Sequence, residues 1–153
     1  MPTPAPETAA RQRWMSVLAR ASADAIAAQL EGAPALPPST VLRGPESGLV
    51  MMRGRAGGGG SPFNLGEMSV TRCTVRNAQG FVGHAYVQGR DQHQARLAAE
   101  LDAALQDPAR HAALAQAVIA PLAATQQAAR DEAAAKAAAT RVQFFTMATM
   151  RTS

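Results

Sequence analysis

At 153 residues the chain has the length of one ordinary domain with a single core. The lone Cys73 excludes an internal disulfide and any cysteine-based metal cluster, and no window approaches the ~18–20 apolar residues that a membrane span needs. The formal charge of +4 rests on Arg, since Lys136 is the single lysine; Ala supplies much of the apolar fraction and aromatics only 4%. At roughly 25 cal/mol per Å² buried, Ala-rich helices gain little, so a thin core that shares its stability with a partner is expected. The opening MPTPAPETAA has neither a basic start nor an apolar run, which reads as a soluble, cytoplasmic protein without a signal peptide.

Residues 1–7 are Pro-rich and read as disordered. A helix is expected from about Glu7, with Trp14, Val17, Leu18 and Ala21 forming an apolar stripe. A second starts after the N-cap candidate Ser22 and ends near Gly32, and the prolines of residues 32–39 mark a linker. Four strands are then expected, a short first one over residues 40–44, then 48–55, a long third over 67–76, and 81–88. On the third, Met68, Val70, Arg72, Thr74 and Arg76 share one face, and Ser69, Thr71, Cys73 and Val75 the other. The short connections imply an antiparallel sheet.

After Gly89 the period becomes helical, with Leu97, Ala98, Leu101 and Leu105 on one face. Asp107 and Pro108 open a further helix, which Pro121 is expected to stop. Residues 124–140 should be helical from Ala propensity and the Glu132–Lys136 spacing, yet they hold no large apolar residue. Such a helix is either a frayed tail or a strut lying on something else. Beyond it Val142, Phe144, Phe145 and Met147 form an aromatic tail that could fold back, add a strand to a partner, or stay disordered; a polar strut ending in an aromatic anchor favours docking into another chain.

No catalytic constellation emerges from the residue types. His84, His93 and His111 are far apart in sequence, and Cys73 reads as a quiet mid-strand residue. The run Gly57–Gly60 leads to a strand and has no nearby lysine, unlike a phosphate loop, so by itself it reads as a flexible hairpin loop. Between Leu42 and Ala95, however, six Arg face three acids. Arg53, Arg55, Arg72 and Arg90 are therefore candidate ligands for an anionic group. Phe63 and Glu67, with Phe144, Phe145 and Met147, are candidate partner anchors. The arginines lack the interleaved aromatics that would stack bases, so nucleic acid is not expected.

Several blocks, in order, carry a family resemblance: Arg11-Gln12-Arg13-Trp14-Met15-Ser16-Val17-Leu18-Ala19, Gly48-Leu49-Val50, Arg53-Gly54-Arg55, Phe63-Asn64-Leu65-Gly66-Glu67, Val70-Thr71-Arg72, Tyr86-Val87-Gln88-Gly89-Arg90-Asp91, Ala120-Pro121-Leu122 and Arg141-Val142-Gln143-Phe144-Phe145-Thr146-Met147. The chain resembles the PhnG family of phosphonate metabolism proteins, which contribute one component of the bacterial carbon–phosphorus lyase core complex. The resemblance implies work with the C–P lyase subunits H, I and J in a symmetric hetero-oligomer, and with the ABC-type L subunit. Their shared step has an alkylphosphonate displace adenine from ATP, giving ribose 1-alkylphosphonate 5-triphosphate. It implies a non-catalytic component, with nucleosidase chemistry on the I subunit and C–P cleavage on the J subunit, and it implies no cofactor, metal or catalytic residue here. The alternative is a subunit whose arginines enter a shared ATP and phosphonate site directly.

The fold expected is α+β: a small antiparallel sheet of about four strands flanked by helices. Residues 8–140 are expected to form one domain and residues 141–153 an extended, partner-docking tail.

Overall fold

The computed structural model describes residues 6–55 and 59–142. Two helices open the chain, α1 (Pro6–Arg20) and α2 (Ala23–Leu30). Ser22 caps α2 through its hydroxyl, which accepts from the Ala25 amide at 3.2 Å. Then come strands β1 (Ser39–Arg55), β2 (Pro62–Asn77) and β3 (Val82–Gln88), paired antiparallel in the order β1-β2-β3. Three strands replace the four expected because residues 40–44 and 48–55 belong to one continuous β1. Register shifts between Val41 and Arg43, and between Arg43 and Glu46, carry it past Gly44 and Pro45. Gly44 is required there: its φ is +73°, and a Cβ would stand 2.5 Å from the Arg72 carbonyl oxygen.

The sheet has one covered face. Thr71, Cys73, Val75 and Asn77 of β2 are buried on that side, which α3 (Gln92–Leu105) packs against with α1 beside it. The alternation along β2 is the one the sequence predicts. Asp91 caps α3, accepting from the Gln94 amide at 2.9 Å. Among the described residues eight of the twenty buried apolar side chains are Ala, most of them on α3. Small side chains let the helix lie close to β3, and Gly83 faces Ala99 and Ala103 where no Cβ would fit. The core is thus thin, as its composition predicts.

Three buried polar side chains join the elements. The Gln94 amide donates to the carbonyls of Leu18, Ala19 and Ala21, closing the end of α1 whose last carbonyls have no helical partners. Asn77 accepts from the Gln79 and Phe81 amides and so holds the β2–β3 turn. Asp102 of α3, fully buried, receives four hydrogen bonds, described below.

The C-terminal helices differ from expectation at one point. Asp107 and Pro108 open α4 (Pro108–Leu114) as predicted, but Pro121 does not end the helix. A single π-helical turn, Ala115–Ile119, leads directly into α5 (Ala120–Ala139). Pro121 sits in the first turn of α5, where a missing N–H matters least, and the widened turn absorbs the change of register. Gln126 makes the last tie to the core, donating to the Val17 carbonyl at 2.9 Å. From Gln127 to Val142 every residue is exposed, so α5 stands roughly 20 Å clear as a strut. No helix among the described residues is long and apolar enough to cross a membrane.

Candidate functional site

Cross-strand partners share a face of a sheet, so the register fixes what the uncovered side displays. Next to the core it carries the rows Arg43–Thr74–His84 and Glu46–Arg72–Tyr86. Glu46 Oε1 accepts from Arg43 Nε and from Arg72 Nε, both at 2.7 Å. The Arg43 guanidinium, and after it that of Arg72, hold the Glu46 carboxyl below its ordinary range. His84 Nδ1 lies 3.1 Å from Thr74 Oγ1. A shallow cavity of about 150 Å³ lies beside this row, with Gly48, Val70, Arg72 and Tyr86 in its wall.

Farther out, β1 and β2 run on without β3. The β2–β3 pairing spans Val70–Arg76 alone, whereas β1 and β2 stay paired to Arg55 and Pro62. The result is a two-stranded arm that extends roughly 23 Å beyond Gly48. Its large apolar side chains face solvent: Leu49 is 61% exposed, Leu65 58%, Met51 54% and Phe63 45%. Met52, Phe63, Leu65 and Met68 lie on the side continuous with the open sheet face, Leu65 resting over Gly54 at a bulge in β2. Leu49 and Met51 lie on the other side with Glu67, Arg53 and Arg55. A lone two-stranded hairpin with apolar groups on both faces is marginal in water. Exposed apolar patches of this kind mark interaction sites.

The predicted anion ligands are not brought together. Arg72 sits mid-sheet, bonded to Glu46; Arg53 lies seven residues farther along β1, roughly 23 Å away at the strand rise. Arg55 is farther still, and Arg90 lies beyond the end of β3, directly after Gly89. Among the described residues Arg53, Arg55 and Arg90 have no carboxylate within ion-pair distance. Phe63 and Glu67 do share the arm, both exposed, whereas Phe144, Phe145 and Met147 lie outside the described residues.

Cys73 is buried, and burial pushes its thiol up, away from the reactive thiolate. Among the described residues no three His, Cys, Asp or Glu side chains converge as metal ligands. His111 stacks at a tilt on Trp14 and bonds the Leu105 carbonyl through Nδ1 at 2.8 Å.

Sequence reasoning missed the polar centre of the fold. Asp102 Oδ1 accepts from Arg11 Nε (3.1 Å) and Trp14 Nε1 (2.9 Å), and Oδ2 from Arg11 Nη2 (2.7 Å) and the His84 amide (2.8 Å). The one signal in the sequence was an acid, Asp102, directly after Leu101 on the apolar stripe of α3. Arg11, Trp14 and His111 also line a broad groove between α1 and α4, with Arg11 Nε and Nη2, Trp14 Nε1 and His111 Nδ1 already engaged within the fold.

A family profile described as "Phosphonate metabolism protein PhnG" matches residues 9–150. A protein of Rhizobium meliloti (strain 1021), named alpha-D-ribose 1-methylphosphonate 5-triphosphate synthase subunit PhnG, is 46% identical over 139 residues, covering 91% of this chain and 88% of its own length. With a match across nearly its whole length, and an identity far above what a shared fold alone produces, the chain belongs to the PhnG family.

Proposed function

We propose that this chain is a non-catalytic subunit of the carbon–phosphorus lyase core complex, required for the step in which an alkylphosphonate displaces adenine from ATP to give ribose 1-alkylphosphonate 5-triphosphate. Its partners in this reading are subunits H, I and J, with the ABC-type L subunit in the same step, in the cytoplasm. The relative's name supports the synthase assignment. The observation that carries the subunit role is the arm, with Leu49, Met51, Met52, Phe63 and Leu65 exposed on a hairpin that no helix among the described residues covers. The bare strut α5 adds to it, since an Ala-rich helix exposed on every side beyond Gln126 is poorly stabilised alone.

Co-expression of the tagged chain with and without subunits H, I and J, followed by size-exclusion chromatography, tests the reading. The chain should elute as a stoichiometric complex and be poorly behaved alone; a stable monomer that turns over ATP unaided would overturn it. Truncation after Thr140 removes Phe144, Phe145 and Met147 and should abolish recovery of the complex.

A second reading has the arginines meet triphosphate directly, favoured by the lack of carboxylate partners for Arg53 and Arg55 among the described residues. The double variant R53A/R55A separates the two. Under the scaffold reading the assembled complex keeps its KM for ATP; a KM raised tenfold or more with assembly intact would favour the second.

A further inference from the structure

The arm poses a question that its apolar side chains alone do not answer, namely what completes its main chain. β3 stops at Gln88 because Gly89, at φ +92°, turns the chain toward α3. The Gly89 amide donates to the Ser69 carbonyl at 2.8 Å, and the Thr71 hydroxyl donates to the Gly89 carbonyl at 2.8 Å. The Ser69 carbonyl therefore points toward the β3 side of β2. In an antiparallel ladder each residue sends its N–H and C=O to the same side, and successive residues alternate. Glu67, two residues before Ser69 with no register shift between them, thus turns its N–H and C=O to that same side. There β3 has ended, and among the described residues no strand pairs with this edge from Pro62 to Ser69.

The notch has a defined outline. Its floor is the unpaired edge of β2, its inner end the Gly89 turn, and exposed Arg90 stands directly after that turn. The open-face side of the arm presents Met52, Phe63, Leu65 and Met68; the opposite side presents Arg53 and Arg55. Unpaired edges of this kind are normally blunted or covered, because they template pairing with another chain. On this stretch Pro62 stands at the very end and the bulge at Leu65 interrupts its outer half, while from Gly66 to Ser69 the ladder with β1 is regular and no proline or lysine blunts the edge.

We propose that this notch takes an extended segment of another subunit of the complex as an added strand, running antiparallel to β2 in the line of β3. The occupant's chemistry follows from the walls. Its main chain bonds the Glu67 N–H and C=O. Its alternate side chains are apolar over Phe63, Leu65 and Met68, with Met52 across β2, and it carries carboxylates toward Arg90 at one end and, past Glu67, toward Arg53 and Arg55 across β2 at the other. Main-chain bonds fix the register, while the arginines select an acidic strand over a neutral one.

This inference rests on the subunit reading above, and one experiment separates their failures. Full-length chain, wild type, E67P or E67A, is co-expressed with subunits H, I and J, and the stoichiometry of the purified complex is measured. Proline removes the one N–H of Glu67 that faces the notch and leaves the β1 pairing, made by its neighbours, in place. Wild type should assemble fully; E67A, which deletes the side chain and keeps the N–H, sets the reference, and E67P should fall at least tenfold below E67A in recovery. If wild type fails to assemble, the subunit reading fails; if E67P is recovered as well as E67A, the subunit reading stands and the added strand is rejected. Should E67P not fold, hydrogen exchange on the wild-type complex decides. The Glu67 amide should exchange at least 100-fold more slowly than an unstructured amide, whereas solvent-rate exchange would reject the proposal. Equal protection of that amide in the isolated chain would place the chain's own residues, or a second copy, in the notch, and would likewise overturn it.

Discussion

Replacing Asp102 by Ala will cost about 3–5 kcal/mol of folding stability, the loss expected when one partner of a buried ion pair is removed. The carboxylate is 0% exposed and joins three elements through its four hydrogen bonds: α1 through Arg11 and Trp14, β3 through the His84 amide, and its own α3. Deleting it strands the Trp14 N–H and the His84 amide in the interior, each costing about 1–3 kcal/mol if no water reaches it. Asp102→Asn keeps the volume but turns an NH₂ toward donors, so it should recover little. Trp14→Phe removes one bond and should lose about 1–2 kcal/mol. Denaturant unfolding followed by circular dichroism measures the series. If Asp102→Ala lost less than about 1 kcal/mol, the carboxylate would be dispensable and the α1–α3–β3 junction held by apolar packing alone.

The second large effect is expected at Gly83, and its origin is purely steric. Gly83 pairs with Val75 in the sheet and lies under α3, where an added Cβ would stand 2.5 Å from the Ala103 nitrogen and 2.8 Å from the Ala103 Cβ, with the Ala99 carbonyl closer still. Two of these three neighbours are helix backbone and cannot swing away. Gly83→Ala must push α3 off the sheet and should cost about 3 kcal/mol, the upper range for overpacking, and Gly83→Val should leave no cooperative unfolding transition. A compensating Ala103→Gly removes the methyl contact and leaves both backbone contacts, so the double variant should regain little. Full rescue would show that the methyl group, and not the helix backbone, sets the spacing.

Local signals carried most of the fold into the sequence. Ser22 and Asp107 announced their helices because capping is decided within three residues. The alternation of Thr71, Cys73 and Val75 announced the buried face of β2 because a strand's period is two. Gly44 and Pro45 misled, since a bulge and a strand end use the same residue types and only the partner strand tells them apart. Pro121 misled for a related reason: whether a proline ends a helix depends on the register of the turn before it. The role of Asp102 was illegible because its partners Arg11 and Trp14 lie 91 and 88 residues away. Arg53, Arg55 and Arg72 looked like a cluster because they flank one loop in the sequence, with Arg90 following at the exit of the last strand. The ladder register, which composition does not reveal, spreads them along the sheet.

The π-turn at Ala115–Ile119 also sets a compass bearing. It holds one residue more than an α-helical path would need, and each residue of an α-helix turns the direction of its side chains by about 100°. Removing one residue there, for instance Ala117, would leave α4 seated and rotate everything beyond Pro121 by about a quarter of a revolution. The Glu132–Lys136 pair and the stem of the tail would then point to a different quarter of space, with every helical hydrogen bond of the strut intact. In an assembly that reads the strut by direction, a single-residue deletion would disconnect it without unfolding anything.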